Sequence, residues 1–340
     1  MKKFEILETT LRDGSYAVNF SFTVEQTSKI CKLLQNAGFK YIEIGHGLGL
    51  NASDSGFGKA KQTDEEYLKA ATSVLDKSKF GMFCIPGIAR LQDIDLAALY
   101  GMSFIRIGTN VTELESAEKF ILKAKKHGMF VAANLMKSYA VSPEELSRRV
   151  KMAEDFGADV VYIVDSAGSM LPEDIKNYYQ EIRKISNISL GFHGHDNLSL
   201  AVANSLCAIN LGFDFVDSSL QGLGRSAGNA STESLVAALI KAGEDLGINL
   251  IQTLKIGQDY IRPLIKTVGQ DLIGVISGFA EFHSSFMKYI NQSSLKYNID
   301  PVGLIIEVSK VEKVNVTDQL VNKIALETKN KKTSKPKNLI

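Results

Sequence analysis

Residues 192–198 read FHGHDNL, which sets two of the chain's five histidines, His193 and His195, on either side of a single glycine. Residues two apart on an extended strand point the same way, so both imidazoles share one face. Two neutral imidazoles placed like this can hold one divalent cation. The plainer alternative is a pair of core histidines satisfied by backbone hydrogen bonds. A third ligand must come from another strand end, and the carboxylate of Asp13 in TLRDG suits, with the guanidinium of Arg12 beside it on the same turn. Two imidazoles, a carboxylate and open positions suit Mn²⁺ or Mg²⁺ with water, or alternatively Zn²⁺ or Co²⁺. No cysteine lies in these motifs, which counts against a structural zinc site.

Such a constellation requires strands that end at one place. Short apolar runs recur along the chain: FEILET (4–9), YIEIG (41–45), FGMFCI (80–85), FIRIG (104–108), MFVAAN (129–134), VVYIVD (160–165), ISLGFH (188–193) and FDFVDS (213–218). Between them lie segments with apolar residues at helical spacing, many closed by glycine. Eight evenly spaced strand–helix units predict an α/β fold, a closed (β/α)8 TIM barrel, over an open doubly wound sheet. In such barrels the chemistry gathers at the C-terminal strand ends. The polar stretches LRDGSY, GHGLG, DSAGS, HGHDN and SSLQGLGRSAGN fall at those ends. Beyond about residue 245 only helical patterns follow. The expected division is a catalytic barrel over 1–250, a small C-terminal helical domain over 251–326, and a disordered lysine-rich tail over 327–340.

A formal net charge of +1 in 340 residues gives no bulk reason to expect nucleic acid or a membrane surface. No apolar stretch has the length of a signal peptide core or a membrane span. Cys31, Cys84 and Cys207 are odd in number and far apart, so reduced thiols in a cytoplasmic protein are expected, without a disulfide.

TLRDG, IEIGHG, DSAG, HGHDNLSLAVANS and GLGRSAGNAS, in this order, resemble the pyruvate-specific class II aldolases of the 4-hydroxy-2-oxovalerate aldolase type. These share a superfamily of barrel metallolyases with 3-hydroxy-3-methylglutaryl-CoA lyase and isopropylmalate synthase. The likeness spans roughly 5–320 and includes the helical appendage. It implies that Asp13, His193 and His195 hold the metal, that Arg12 stabilises a pyruvate enolate, and that Ser166 seats the substrate's carboxylate end. It adds Asn229 as a weaker candidate near the metal. It also implies small-molecule partners, a 2-oxo acid and an aldehyde, within a homo-oligomer, and an aldehyde dehydrogenase docked through the C-terminal region.

One departure matters. The family's general acid/base histidine, two residues after the glycine of LRDG, is here Tyr16. The C-terminal stretch that normally offers a tyrosine reads EFHSSF and offers His283. The expectation is that Tyr16 and His283 together handle the substrate hydroxyl proton, with His283 as base. The alternative is a Tyr16 that only lines the pocket while the reaction is altered or lost.

Lesser candidates complete the reading. His46 in GHGLG either contacts substrate or orders its loop. Glu43, inside the second strand run, is expected to support Arg12 or a water. Cys84 and Ile85 are candidates to line the aldehyde half of the pocket. His127 sits at the opposite strand end and reads as structural. Neither glycine-rich stretch completes a dinucleotide motif. The rival readings are an acyl-CoA-dependent Claisen lyase or synthase and a non-catalytic, partner-binding barrel.

Overall fold

The computed structural model describes residues 4–265 and 271–333. Eight parallel strands, β1 (Glu5–Glu8), β2 (Tyr41–Ile44), β3 (Lys79–Cys84), β4 (Phe104–Asn110), β5 (Phe130–Met136), β6 (Val160–Asp165), β7 (Ser189–Gly194) and β8 (Phe215–Ser218), close in sequence order. Closure is made by β1 against β8, with Leu7 opposite Asp217. The expected (β/α)8 barrel is therefore the observed fold.

Helices α1 (Val24–Ala37), α2 (Asp64–Thr72), α3 (Leu91–Leu99), α4 (Glu118–Lys126), α5 (Pro143–Asp155), α6 (Pro172–Arg183), α7 (Ala201–Leu211) and α8 (Thr232–Lys241) fill the crossovers. Their starts are written in the sequence: Thr23 and Thr63 accept the backbone N–H of Gln26 and Glu66, each forming a reciprocal capping box. Strand alternation then sorts side chains. In β4, Ile105 and Ile107 pack outward into the main core while Arg106 points into the barrel. A separate interior cluster of Ala132, Val160, Tyr162, Val164 and Phe215 plugs the barrel, as strands covered on both faces require.

Glu8 joins the end of β1 to the segment after β8. Its carboxylate accepts from Thr10 N at 3.0 Å, Leu220 N at 3.0 Å and the Thr232 hydroxyl at 3.3 Å. The turn that follows carries Arg12 and Asp13, whose backbone N–H groups both donate to Thr9 O, at 3.1 and 2.8 Å. This fixes the direction of both functional side chains.

After the barrel come α9 (Leu250–Ile256), α10 (Leu272–Ala280), α11 (Met287–Tyr297), α12 (Pro301–Ser309) and α13 (Asp318–Thr333). Ile256 and Ile261 belong to the barrel's core, whereas Phe282, Ile290, Leu304, Ile305, Val308 and Val321 form a core of their own. The helical region's independent packing thus begins at α10, later than residue 251. The expected tail from 327 is also shorter: α13 runs on to Thr333. Leu320, Val321, Ile324 and Ala325 give this helix an apolar stripe, and the lysines and glutamate after it are good helix formers. Residues 334–340 lie outside the described residues. No described helix is long and apolar enough to cross a membrane, and all three cysteines are free.

Candidate active site

One cavity opens at the C-terminal mouth of the barrel. Arg12, Asp13, Tyr16, Phe83, Ile85, Asn110, Asn134, Lys137, Ser166, His193, His195, Arg225, His283 and Ser285 are among the residues that line it. Within it, Asp13, His193 and His195 offer ligand atoms that all lie within 4.8 Å of one another. Each of the three is buried.

The hydrogen-bond partners decide how the two imidazoles are used. His193 Nδ1 lies 2.7 Å from Asp217 Oδ2. Arg106 binds that same oxygen at 2.5 Å, which keeps Asp217 ionised, so Nδ1 donates. His195 Nδ1 lies 3.2 Å from the Gly228 carbonyl oxygen, which can only accept. In the neutral form of each ring this leaves the lone pair on Nε2. For His193 that lone pair faces Asp13 Oδ2 at 3.3 Å, and two acceptors this close need a proton or a cation between them. Imidazoles held through one nitrogen by a carboxylate or carbonyl, with the other turned to a carboxylate, fit a divalent ion. The three side chains form a site able to hold a metal ion.

The site rests on a closed ring of charge. Asp13 Oδ2 accepts from Arg12 Nη1 at 2.9 Å, and Arg12 Nε donates to Glu43 Oε2 at 2.7 Å. Arg106 Nη1 donates to that same Glu43 oxygen at 2.9 Å and Nη2 reaches Asp217. Asp217 then holds His193, which faces Asp13. Arg106 is fully buried, its guanidinium 4.4 Å from the centre of the Tyr162 ring. Burial opposes its charge, yet Asp217 and Glu43 outweigh that and hold it protonated. Likewise burial acts against the Asp13 carboxylate, but Arg12 and the two histidines hold its pKa well below the ordinary range. Burial pushes His195 down to about 3, so it stays neutral.

His283 enters from the loop before α11. Its Nε2 lies 2.8 Å from Arg225 Nη2. A guanidinium cannot accept, so Nε2 accepts and Nδ1 carries the hydrogen, donated to Ser285 Oγ at 2.6 Å. Burial, then the charges of Arg225 and Lys137, hold this imidazole well below its usual pKa. The lone pair that would take a proton is therefore already engaged by Arg225. Arg225 also stacks its guanidinium 5.0 Å from the centre of the Tyr16 ring, linking the two exchanged residues. Ser166 Oγ accepts from the backbone N–H of Lys137 at 3.0 Å and keeps its own hydrogen for a ligand.

Several expected residues lie elsewhere. His46 is fully buried and stacks on Phe20 at 3.8 Å, its Nε2 3.0 Å from Gly58 O and its Nδ1 3.1 Å from Leu48 N. Both nitrogens are occupied, so it orders the loop after β2 and does not line the cavity. Asn229 pairs with the backbone of His195 and lines a different hollow. Strand alternation turns Cys84 away from the mouth while Phe83 and Ile85 face it. His127 bonds Asp95 at 2.6 Å on the outer surface.

Sequence reasoning missed Arg106, Asp217, Lys137 and Arg225. The first two had a signal: a charge at an inward position of an otherwise apolar strand, in FIRIG and FVDS. Lys137 and Arg225 had none of comparable weight, since each sits in an irregular segment. Lys137 adopts a left-handed backbone conformation, φ 59°, directly after β5.

Comparison with known proteins places these features in context. The family model described as HMGL-like matches residues 3–259. A 4-hydroxy-2-oxovalerate aldolase of Carboxydothermus hydrogenoformans is 37% identical over 96% of this chain and 97% of its own length. One from Geobacillus thermodenitrificans is 37% identical over 97% and 96%. Among solved structures, the N-terminal domain of a Bacteroides vulgatus protein aligns with a TM-score of 0.74 at 27% identity, covering 87% of this chain and 98% of that domain.

Proposed function

The chain belongs to the HMGL-like family and, within it, to the 4-hydroxy-2-oxovalerate aldolase family, and from that premise we propose that it cleaves a 4-hydroxy-2-oxo acid to pyruvate and an aldehyde, or joins the two. The observation that carries this reading is the Asp13–His193–His195 cluster beside Arg12 in one cavity. These three residues would hold a divalent ion, Mn²⁺ or Mg²⁺ where the carboxylate and water at the open positions set the preference; when bound, it would polarise the 2-oxo carbonyl.

The remaining work falls to side chains. Breaking the bond between C3 and C4 sends its electron pair toward the carbonyl, giving an enolate, while the C4 hydroxyl becomes the aldehyde oxygen. Arg12 is held at Nε by Glu43 and at Nη1 by Asp13, so it is pre-oriented with Nη2 left for the developing oxyanion. The Ser166 hydroxyl orients the carboxylate end. In this reading the C4 hydroxyl would enter between His283 and Arg225, which are 2.8 Å apart, so that His283 Nε2 accepts its proton as Arg225 shifts its N–H onto the alkoxide oxygen. Tyr16, which lines the cavity and stacks on Arg225, would share with His283 in handling that proton. Water protonates the enolate at C3 to complete pyruvate, and His283 returns its proton to the hydroxide left behind.

The expectation of an aldehyde dehydrogenase partner attaches to the helical region, where Leu272, Val275 and Phe279 leave an exposed apolar stripe on α10. Free thiols accord with a cytoplasmic setting. Pyruvate release from a panel of 4-hydroxy-2-oxo acids, with Mn²⁺ and with a chelator, tests the assignment. Cleavage that needs the metal supports it; no cleavage across the panel, or metal-independent cleavage, refutes it.

A further inference from the structure

The cavity holds two cations besides Arg12: Lys137, which the reaction above does not use, and Arg225, which serves it only at the C4 hydroxyl. Its ionisable lining consists of Arg12, Lys137 and Arg225 with one carboxylate, Asp13, besides the histidines and Tyr16. Arg12 is paired with Asp13 and Glu43. Arg225 and Lys137 form no salt bridge with any described residue. The Arg225 side chain meets His283 and the face of Tyr16, and its buried Nε has no partner. The Lys137 ammonium donates to Val314 O at 2.5 Å and lies 4.9 Å from the Phe286 ring centre, which leaves two N–H groups.

Two cations in a part-buried cavity repel one another, and burial then Arg225 weaken the lysine's hold on its proton. An anion placed between them would relieve that repulsion and gain charge-assisted hydrogen bonds from both. The 2-oxo acid end does not need them, because Arg12, Ser166 and the metal cluster already serve its oxygens. Both cations reach residues of the helical region: Arg225 bonds His283, and Lys137 meets Val314 O and the Phe286 ring.

We propose that Arg225 and Lys137 form an anion-recognition subsite for the aldehyde half of the substrate, so that the preferred aldehyde carries a carboxylate or a phosphate. This deepens the aldolase assignment and rests on it. A guanidinium and an ammonium suit either anion, and the charge of the group is what the pair reads.

The test compares charged and neutral aldehydes as acceptors for pyruvate: succinic semialdehyde and glycolaldehyde phosphate against butyraldehyde and acetaldehyde. The subsite predicts kcat/KM for at least one charged aldehyde to exceed the neutral ones on the order of a hundredfold, the worth of a charge-assisted hydrogen bond. Comparing the two charged arms tells carboxylate from phosphate. Lys137→Met and Arg225→Gln should each cut that selectivity ratio at least about tenfold, with Lys137→Arg retaining most of it. A ratio near one in the wild type, or a ratio unmoved by both substitutions, overturns the subsite. Calorimetric titration with glycolaldehyde phosphate or succinic semialdehyde alone gives a second readout when a variant is too unstable to assay. Wild-type binding of neither aldehyde more tightly than acetaldehyde also overturns it. Exchange of the pyruvate methyl protons with deuterated solvent reports the enolate step without any aldehyde. Exchange without charge preference sinks the subsite only, whereas absent exchange sinks the aldolase assignment beneath it.

Discussion

His193 Nδ1 lies 2.7 Å from Asp217 Oδ2, the oxygen that also receives Arg106 at 2.5 Å. One carboxylate oxygen, deep in the barrel, therefore sets the tautomer of a candidate metal ligand and shares with Glu43 the pairing of a fully buried arginine. Asp217→Asn is expected to weaken Mn²⁺ binding about 10–100-fold. It should also destabilise the fold by about 3–5 kcal/mol, because Arg106 loses half its compensation. Calorimetric metal titration and urea melts on the same preparation check both effects.

Arg12 is fixed by two carboxylates and lies 4.7 Å from the Phe83 ring centre. A lysine there can keep the charge but not the fork. Arg12→Lys should lower kcat for pyruvate release by about a hundredfold or more, with metal stoichiometry retained.

Tyr16 owes its position to a missing side chain. A Cβ at Gly47 would lie 2.4 Å from the Tyr16 ring, so Gly47→Ala must displace the phenol. Activity should fall by up to about a hundredfold, the cost of a misplacement near 1 Å, while Gly47→Ala and wild type melt at similar temperatures. A fully active Gly47→Ala would argue that Tyr16 plays no part.

Burial, then the charge of Arg225, draws the Lys137 pKa from its ordinary 10.5 down to about 8, against weaker support from Glu113 and Glu312. The unfolded chain thus binds more protons than the folded one between those values. Wild-type stability measured against Lys137→Met should therefore rise with pH across that window, by no more than about 3 kcal/mol. Denaturant melts of both proteins at pH 7.5 and pH 10 read the difference; a constant difference would contradict it.

The barrel was legible because eight apolar runs and capped helices each carry a local pattern, and the HxH spacing declares its own shared face. The supporting ring is half visible in the sequence: Glu43 falls where it can support Arg12, whereas Arg106 and Asp217 stand as single charges inside apolar strand runs with nothing local to pair them. What could not be read was how irregular segments turn. His46 looked available at a strand end, yet its loop closes over it through Gly58 and Leu48. Lys137 reaches the cavity only because of its left-handed backbone. The helical region's boundaries shifted for a similar reason, since Ile256 and Ile261 joined the barrel core through packing that no periodicity announces.

Whether Asp13, His193 and His195 bind one divalent ion at the barrel mouth is read most directly by electron paramagnetic resonance titration of Mn²⁺. One tightly bound ion per chain is expected, lost in Asp13→Ala and in His195→Ala while both variants stay folded by circular dichroism. Full Mn²⁺ occupancy in both variants, or none in the wild type, would contradict it.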